Sequence, residues 1–288
     1  QVRVLDAFVD TPGRSERRRR RRVTAWGDRV ELIEGDVADP AVLDRFLRGV
    51  DRVYHFARAP GEWPWTRDPQ AAYLGDVGGM LALLDGLRRN DVRTLVLRSD
   101  ASVYGDTERT GAGPLTPAFP HSTRGAARAA TETLAMAWQA GGHRQLTILR
   151  PFHVYGPRMG SDNLVYRVLL AALEDRPLAL PGDTGVVRDF VFASDVVRMA
   201  VQARRAMSDG PAVFVLATGR PTSLIDLVAA VRRVTGAVLR VEVGPASRHE
   251  PRMCVGNPRP AREQLFLEPE VALDAGLEAT WEWLKRTR

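Results

Sequence analysis

Short apolar runs alternate with longer amphipathic stretches along most of this 288-residue chain, and few folds accommodate that alternation. VRVLDAF (2–8), VELIEGD (30–36), RVYHFA (52–57), TLVLRS (94–99), LTILRP (146–151) and AVFVLA (212–217) read as strands. Helical periodicity fills 41–49, 70–89, 124–140 and 194–206. Strands joined by crossovers of this length pair in parallel, so the fold class expected is α/β with a doubly wound parallel sheet. After Gly156-Pro157 the pattern changes. A helix at 163–175, a turn at Pro181-Gly182-Asp183, a short strand around 188–192, a helix at 223–235, a strand at 238–244 and a terminal helix at 274–286 suggest a smaller C-terminal lobe. The stretch between the first two strands is too polar and arginine-rich to read as a buried helix.

Composition narrows the function classes. With 44% hydrophobic and 26% charged residues the chain is an ordinary globular one. No apolar run reaches membrane-spanning length and no signal-peptide pattern opens the sequence, so no membrane partner and a cytoplasmic location are expected. One cysteine, Cys254, rules out an internal disulfide, and His55, His121, His143, His153 and His249 lack metal-ligand spacing, so no metal site is expected. The net charge is +6, and one of the 41 basic residues, Lys285, is the sole lysine. The run Arg17 to Arg22 is read as a solvated loop, with contact to a cofactor's extra phosphate as the alternative. It has no aromatic platform and no recognition module beside it, so no nucleic-acid partner is expected.

Four segments carry the chemistry: LRSDASVYGD (97–106), RGAARAATE (124–132), LRPFHVYGP (149–157) and RDFVFASDVV (188–197). Their order and spacing resemble the extended short-chain dehydrogenase/reductases, the nucleotide-sugar epimerases, dehydratases and decarboxylases. The resemblance covers nearly the whole chain. It implies a Rossmann-type dinucleotide-binding domain over 1–156 plus about 193–217, and a nucleotide-sugar-binding lobe over 157–192 plus 218–288. It also implies NAD as cofactor, a nucleotide-diphosphate sugar as ligand and a homodimer.

That family works through a tyrosine and a lysine four residues apart on one helix. Aligning on Glu132 puts Arg124 at the tyrosine position and Arg128 at the lysine position. The serine or threonine that would bond the substrate hydroxyl is Asp100, flanked by Ser99 and Ser102. The family's asparagine-valine pair with a following glycine becomes Asp76-Val77 with Gly79. A guanidinium stays protonated at any ordinary pH, so it stabilises an anion but cannot act as a base. Asp100 and His121 are the candidates for a replacement base, against the plainer readings of a salt bridge from Asp100 to those arginines and an exposed loop position for His121.

Substrate-side residues follow the family more closely. His153 replaces the asparagine that contacts the nucleotide sugar, Asn163-Leu164 resembles the pair whose backbone meets the diphosphate, and Arg188 stands at the position that grips the phosphates. Arg252 resembles a second such arginine, with Asn257 where an acid is usual. On the cofactor side, Asp6 corresponds to the acid on the adenosine ribose, Asp36-Val37 to the adenine contact, and Ala57 and Arg58 in HFARA to the backbone path, Arg58 replacing a small residue. An acid at the strand end favours NAD over its 2′-phosphorylated form.

The family's opening strand, glycine-rich turn and helix, about 30 residues, would precede VRVLDAF. A natural chain longer than this sequence, or a strand from elsewhere between 2–8 and 94–99, is therefore expected. Gly75-Asp-Val-Gly78-Gly79 sits within a helical pattern, and close helix packing is its expected role. Three readings stay open: an enzyme on a nucleotide-linked sugar with a rebuilt acid-base set, a non-catalytic binding or partner subunit, and a non-redox enzyme whose arginines stabilise an enolate or carboxylate.

Overall fold

The computed structural model describes residues 2–8, 25–57, 65, 67–108, 110–180, 185–203, 210–244 and 251–287. The Arg17 to Arg22 run, Arg58 and the Pro181-Gly182-Asp183 turn lie outside them. The chain begins with β1 (Val2–Asp6), β2 (Val30–Glu34), α1 (Pro40–Leu47), β3 (Arg52–His55), α2 (Pro69–Arg89) and β4 (Thr94–Arg98). It continues with α3 (Thr123–Ala140), β5 (Gln145–Pro151), β6 (His153–Tyr155), α4 (Leu164–Leu173), β7 (Leu178–Leu180), β8 (Val187–Arg188) and β9 (Phe190–Phe192). Then come α5 (Ala193–Ala203), β10 (Ala212–Leu216), β11 (Thr222–Ser223), α6 (Leu224–Thr235), β12 (Val241–Val243), β13 (Met253–Cys254), α7 (Arg259–Leu265) and α8 (Leu273–Thr287).

The central sheet runs β10-β5-β4-β3, and every pairing in it is parallel. Strands β4, β5 and β10 are mainly apolar on both faces, as a sheet covered by helices on both sides requires. Leu95, Leu97, Leu146 and Ile148 pack under α1, α2 and α3 with Leu43, Leu83, Leu87 and Ala135. Val96, Leu149, Phe214 and Leu216 face the other way, against Val196 and Met199 of α5 and Ala261 and Leu265 of α7. The helices start where their caps dictate. Asp39 and Asp68 accept backbone N–H groups at the starts of α1 and α2, each followed by a proline at the first helical position.

Among the described residues β1 pairs only with β2, in a separate parallel ribbon. The strand at the corresponding rim of the central sheet is β3, whereas 94–98 lies inside, between β3 and β5. The break thus falls one strand earlier in the chain than the sequence suggested. The ribbon is held to the rest of the molecule through α1: Arg3 Nη1 donates to the carbonyls of Phe46 (2.7 Å) and Arg48 (2.9 Å), and Leu5 packs on the core below α1.

A second core gathers Val168 and Leu169 of α4, Leu227 and Val231 of α6 and Leu277 and Leu284 of α8 around Tyr155, Phe190, Leu178 and Leu180. The helix over 259–265, unforeseen in sequence, packs on the central sheet instead. So do none of the two- and three-residue strands β6, β7, β8, β11 and β13 announce themselves, since such lengths carry no readable period. No helix among the described residues is long and apolar enough to cross a membrane.

Candidate active site

Two local structures place the residues singled out above. At the start of α3 the Ser122 hydroxyl accepts the Gly125 N–H at 3.1 Å, which sets the helix to begin at Thr123. Arg124 then falls in the first turn and Arg128 one turn later on the same face. At the end of β4 the Ser99 N–H still bonds the Leu149 carbonyl at 2.8 Å. Asp100 leaves the sheet and caps a single 3-10 turn, Ala101–Val103, by accepting the Ser102 N–H at 3.0 Å. These groups gather at the carboxyl ends of β3 to β5, where ligands bind in open α/β sheets.

The four positions singled out by the resemblance form two ion pairs. Arg124 Nη2 lies 3.0 Å from Asp100 Oδ2. Arg98 Nη2 stands 4.0 Å from the same oxygen, and the Ser102 hydroxyl donates to Oδ1. Arg128 Nη2 lies 2.6 Å from Asp76 Oδ2, with both side chains buried. Burial alone would raise the Asp100 pKa, but the charges of Arg124, Arg98 and Arg128 hold it well below the ordinary carboxylate value. Asp100 is thus a hydrogen-bonded anion at neutral pH, a very weak base. The salt-bridge reading of Asp100 describes Arg124, whereas Arg128 takes a different acid.

Two histidines border these pairs. Burial, reinforced by Arg128, lowers the His55 pKa to about 4. Burial, reinforced by Arg188 and Arg124, lowers that of His153 to about 3. Both imidazoles are neutral at pH 7. Among the described residues, buried Ser99 Oγ, Arg128 Nε and His153 Nδ1 have no hydrogen-bond partner, so a ligand's polar groups could be accommodated here.

The other expected site residues are distributed as follows. His121 packs edge-on against Phe119, with Nδ1 4.0 Å from Asp106 Oδ2. Buried Arg188 donates through Nη1 to the carbonyl of Pro251 at 2.7 Å. Arg252 is exposed, and its carbonyl accepts the Val187 N–H at 2.8 Å. Asn163 caps α4, accepting the Val165 N–H at 3.0 Å and donating to the Val154 carbonyl at 2.8 Å, which places Leu164 as the first helical residue. Asp6 accepts the Phe8 N–H at 2.7 Å and Asp36 the Ala38 N–H at 2.8 Å, while Ala57 is exposed. Val37 meets α2 at Gly79, where an added Cβ would come within 3.0 Å of Val37 Cγ1. Gly75 and Gly78 face open space, so close packing accounts for one glycine of the three.

Sequence reasoning overlooked Arg98 and His55 as site residues and, having read Asp76 at the asparagine position, did not pair it with Arg128. It also overlooked the buried bracket in which Arg150 bonds Glu132 at 2.6 and 3.0 Å and the Tyr104 hydroxyl at 2.8 Å, tying the VYG segment to α3. One signal was available: an aspartate at 76, where the resemblance gives a neutral asparagine, adds an acid that a basic residue at 128 could take as a partner. Their separation of 52 positions hides the pairing.

Comparison with known proteins agrees with this architecture. The model of the NAD dependent epimerase/dehydratase family matches residues 7–217. UDP-glucuronic acid decarboxylase 1 of Arabidopsis thaliana is 29% identical over 256 residues, covering 86% of this chain and 57% of that protein. The chain thus spans little more than half the length of that relative. UDP-glucose 4-epimerase of Streptomyces lividans is 28% identical over 272 residues, covering 88% of this chain and 82% of that protein. The crystal structure of UDP-glucuronic acid 4-epimerase from Bacillus cereus, in complex with UDP-glucuronic acid and NAD, superposes with a TM-score of 0.92 at 25% identity. That match covers 100% of this chain and 91% of the other.

Proposed function

Because the chain belongs to the NAD-dependent epimerase/dehydratase family, we propose that it is a member that binds a nucleotide-diphosphate sugar without the family's proton-transfer chemistry. One observation carries this reading: Asp100–Arg124 and Asp76–Arg128 are closed ion pairs at the positions where the family resemblance calls for serine, tyrosine, asparagine and lysine. A guanidinium cannot accept a proton, and a carboxylate held by one has little affinity for it. Losing a positioned acid-base group costs about 100- to 10,000-fold in rate. The lobe over 157–192 and 218–288 is the expected seat of the nucleotide sugar, with Arg188, Arg252, His153 and the Asn163-Leu164 backbone as its contacts. A cytoplasmic homodimer is the expected state, which gel filtration and localisation of the natural protein test.

NAD fits one half of this site better than the other. Asp6 at the carboxyl end of β1 and Asp36-Val37 beyond β2 suit an adenosine ribose and its base, with Ala57 just past β3. At the nicotinamide end Arg124 and Arg128, each ion-paired, stand where the resemblance calls for tyrosine and lysine, and neither guanidinium accepts a proton from a sugar hydroxyl. NAD is accordingly read as a bound ligand, and no hydride step is assigned to it.

Calorimetry with UDP-glucose and UDP-glucuronic acid tests binding, and Arg188→Ala is expected to weaken it by about 1.5–3 kcal/mol if that arginine holds phosphate. Restoration tests the chemistry. Arg124→Tyr, Arg128→Lys and Asp100→Ser together, with Asp76→Asn so that no buried carboxylate is stranded, should introduce reduction of bound NAD that the parent lacks. Robust turnover by the parent, abolished by Asp100→Asn and not by changes at Arg124, would establish Asp100 as a base and overturn the non-catalytic reading.

A further inference from the structure

Asp189 is fully buried between β8 and β9. Among the described residues its carboxylate meets backbone amides and one hydroxyl. Oδ1 accepts the Thr218 N–H at 2.9 Å and the Thr218 hydroxyl at 2.5 Å. Oδ2 accepts the Gly219 N–H at 2.8 Å and the Gly256 N–H at 3.3 Å. The main chain of Asp189 is engaged as well: its N–H donates to the Cys254 carbonyl at 3.0 Å, and its carbonyl accepts the His153 N–H at 2.9 Å. One residue thus ties together β6, the turn after β10 and the segment that follows β13. The glycines permit this approach. A Cβ on Gly256 would lie 2.4 Å from Ala217 Cβ, and one on Gly219 would lie 2.9 Å from Pro258 Cδ.

The elements joined at Asp189 carry the residues read above as nucleotide-sugar contacts. Arg188 directly precedes it, in register with Thr222 of β11 and Cys254 of β13. The His153 ring stands edge-on to Phe190, the residue after Asp189. Arg188 Nη1 donates to the Pro251 carbonyl at 2.7 Å, and the Arg252 carbonyl accepts the Val187 N–H at 2.8 Å. The Arg188 guanidinium therefore takes its direction from the 251–257 segment, which Asp189 holds through Cys254 and Gly256. Burial raises the Asp189 pKa, and its hydrogen bonds with Thr218, Gly219 and Gly256 offset part of that effect. A buried carboxylate is tolerated only with its hydrogen bonds filled. Asparagine has one oxygen in place of two and would turn an NH2 group on two of the donors. We infer that Asp189 is the positioning residue of the nucleotide-sugar site, setting Arg188, His153 and the 251–257 segment in the arrangement that grips the diphosphate. The inference rests on the nucleotide-sugar-binding reading above and names the group that assembles the same site.

Titration calorimetry with UDP on the parent, Arg188→Ala, Asp189→Asn and the double variant tests it. Arg188→Ala should weaken UDP binding about 10-fold or more, the scale of one charge-assisted hydrogen bond. Folded Asp189→Asn should lose affinity to a similar extent, and Arg188→Ala made in that background should add about two-fold or less. A residue that merely supports the fold would leave the Arg188→Ala loss undiminished. Unchanged UDP affinity in folded Asp189→Asn, or additive losses in the cycle, therefore overturn the inference. Arg188→Ala without effect in a parent that binds UDP overturns it too, and leaves nucleotide-sugar binding standing. A parent that binds neither UDP nor either UDP sugar overturns the reading beneath it and this inference with it. If Asp189→Asn does not fold, Thr218→Val, which deletes one hydroxyl donor and keeps the carboxylate, takes its place in the cycle. It should weaken UDP binding about three-fold, again non-additively with Arg188→Ala, and additive losses overturn the inference there also.

Discussion

Arg128 on α3 and Asp76 on α2 form a buried ion pair, with Nη2 2.6 Å from Oδ2. Two charged groups removed from water tie together the helices that cover one face of the sheet. Such a pair is not in itself a large source of stability, because desolvation offsets most of the attraction. Removing one partner is another matter, since the remaining charge is left buried and uncompensated. Asp76→Asn or Arg128→Gln alone should therefore lower unfolding stability by about 3–5 kcal/mol. Asp76→Leu together with Arg128→Met should cost much less than the sum of the single changes, as read by equilibrium urea unfolding in a double-mutant cycle. Additive losses would mean that the two side chains act independently.

Asp100 should make its contribution visible in acid. Its folded pKa lies well below the ordinary value, chiefly because Arg124 and Arg98 overcome the effect of burial. A carboxylate with a depressed folded pKa contributes stability that is fully present above its unfolded pKa, about 3.9, and is lost as pH falls toward the folded value. The stability difference between the parent and Asp100→Asn should be constant from pH 7 to about 5 and shrink below about 4. A difference that persisted unchanged in strong acid would show that Asp100 is not ionised in the folded protein.

The two histidines beside the ion pairs act over a different window. With folded pKa values of about 4 for His55 and about 3 for His153, both stay neutral while the unfolded chain begins to take up protons near 6.5. The unfolded state then binds more protons, so stability should fall as pH drops from about 6.5 toward 4. Replacing His153 by Asn should flatten part of that slope. Imidazole resonances of the folded protein followed by NMR should show His55 and His153 failing to titrate between pH 8 and 5.

Gly105 offers a test of backbone geometry beside the site. Its φ is +69°, and an added Cβ would fall 2.3 Å from the Phe119 carbonyl oxygen and 2.8 Å from the His121 ring. The left-handed conformation and the clash act in the same direction, so Gly105→Ala should cost about 2 kcal/mol or more. A thermal melt indistinguishable from the parent would mean that the 119–121 segment sits elsewhere in solution.

The positions of the longer elements were legible because their periods are long enough to detect. Helix α2 was expected over 70–89 and spans Pro69–Arg89; helix α3 was expected over 124–140 and spans Thr123–Ala140. The strand at 94–99 was read correctly but placed beside the break, whereas it lies between β3 and β5. Strand order is a matter of which edges meet, and local periodicity is silent on that. The helix over 259–265 escaped notice, and so did its docking on the sheet, because seven residues with two apolar anchors, Ala261 and Leu265, give no clear stripe.

By itself the sequence determined the succession of strands and helices, the four family segments, and the presence at 124 and 128 of arginines, whose guanidiniums do not accept protons. Those conclusions depend on side-chain chemistry and on spacing along a few turns of chain. Only the tertiary structure decided that Arg124 meets Asp100, 24 positions away, and that Arg128 meets Asp76, 52 positions away. It alone showed that Arg98 joins the first pair and that both nearby histidines are neutral. Electrostatic energy depends on distance in space and on how much water has been excluded, and both quantities come into being only when distant segments pack.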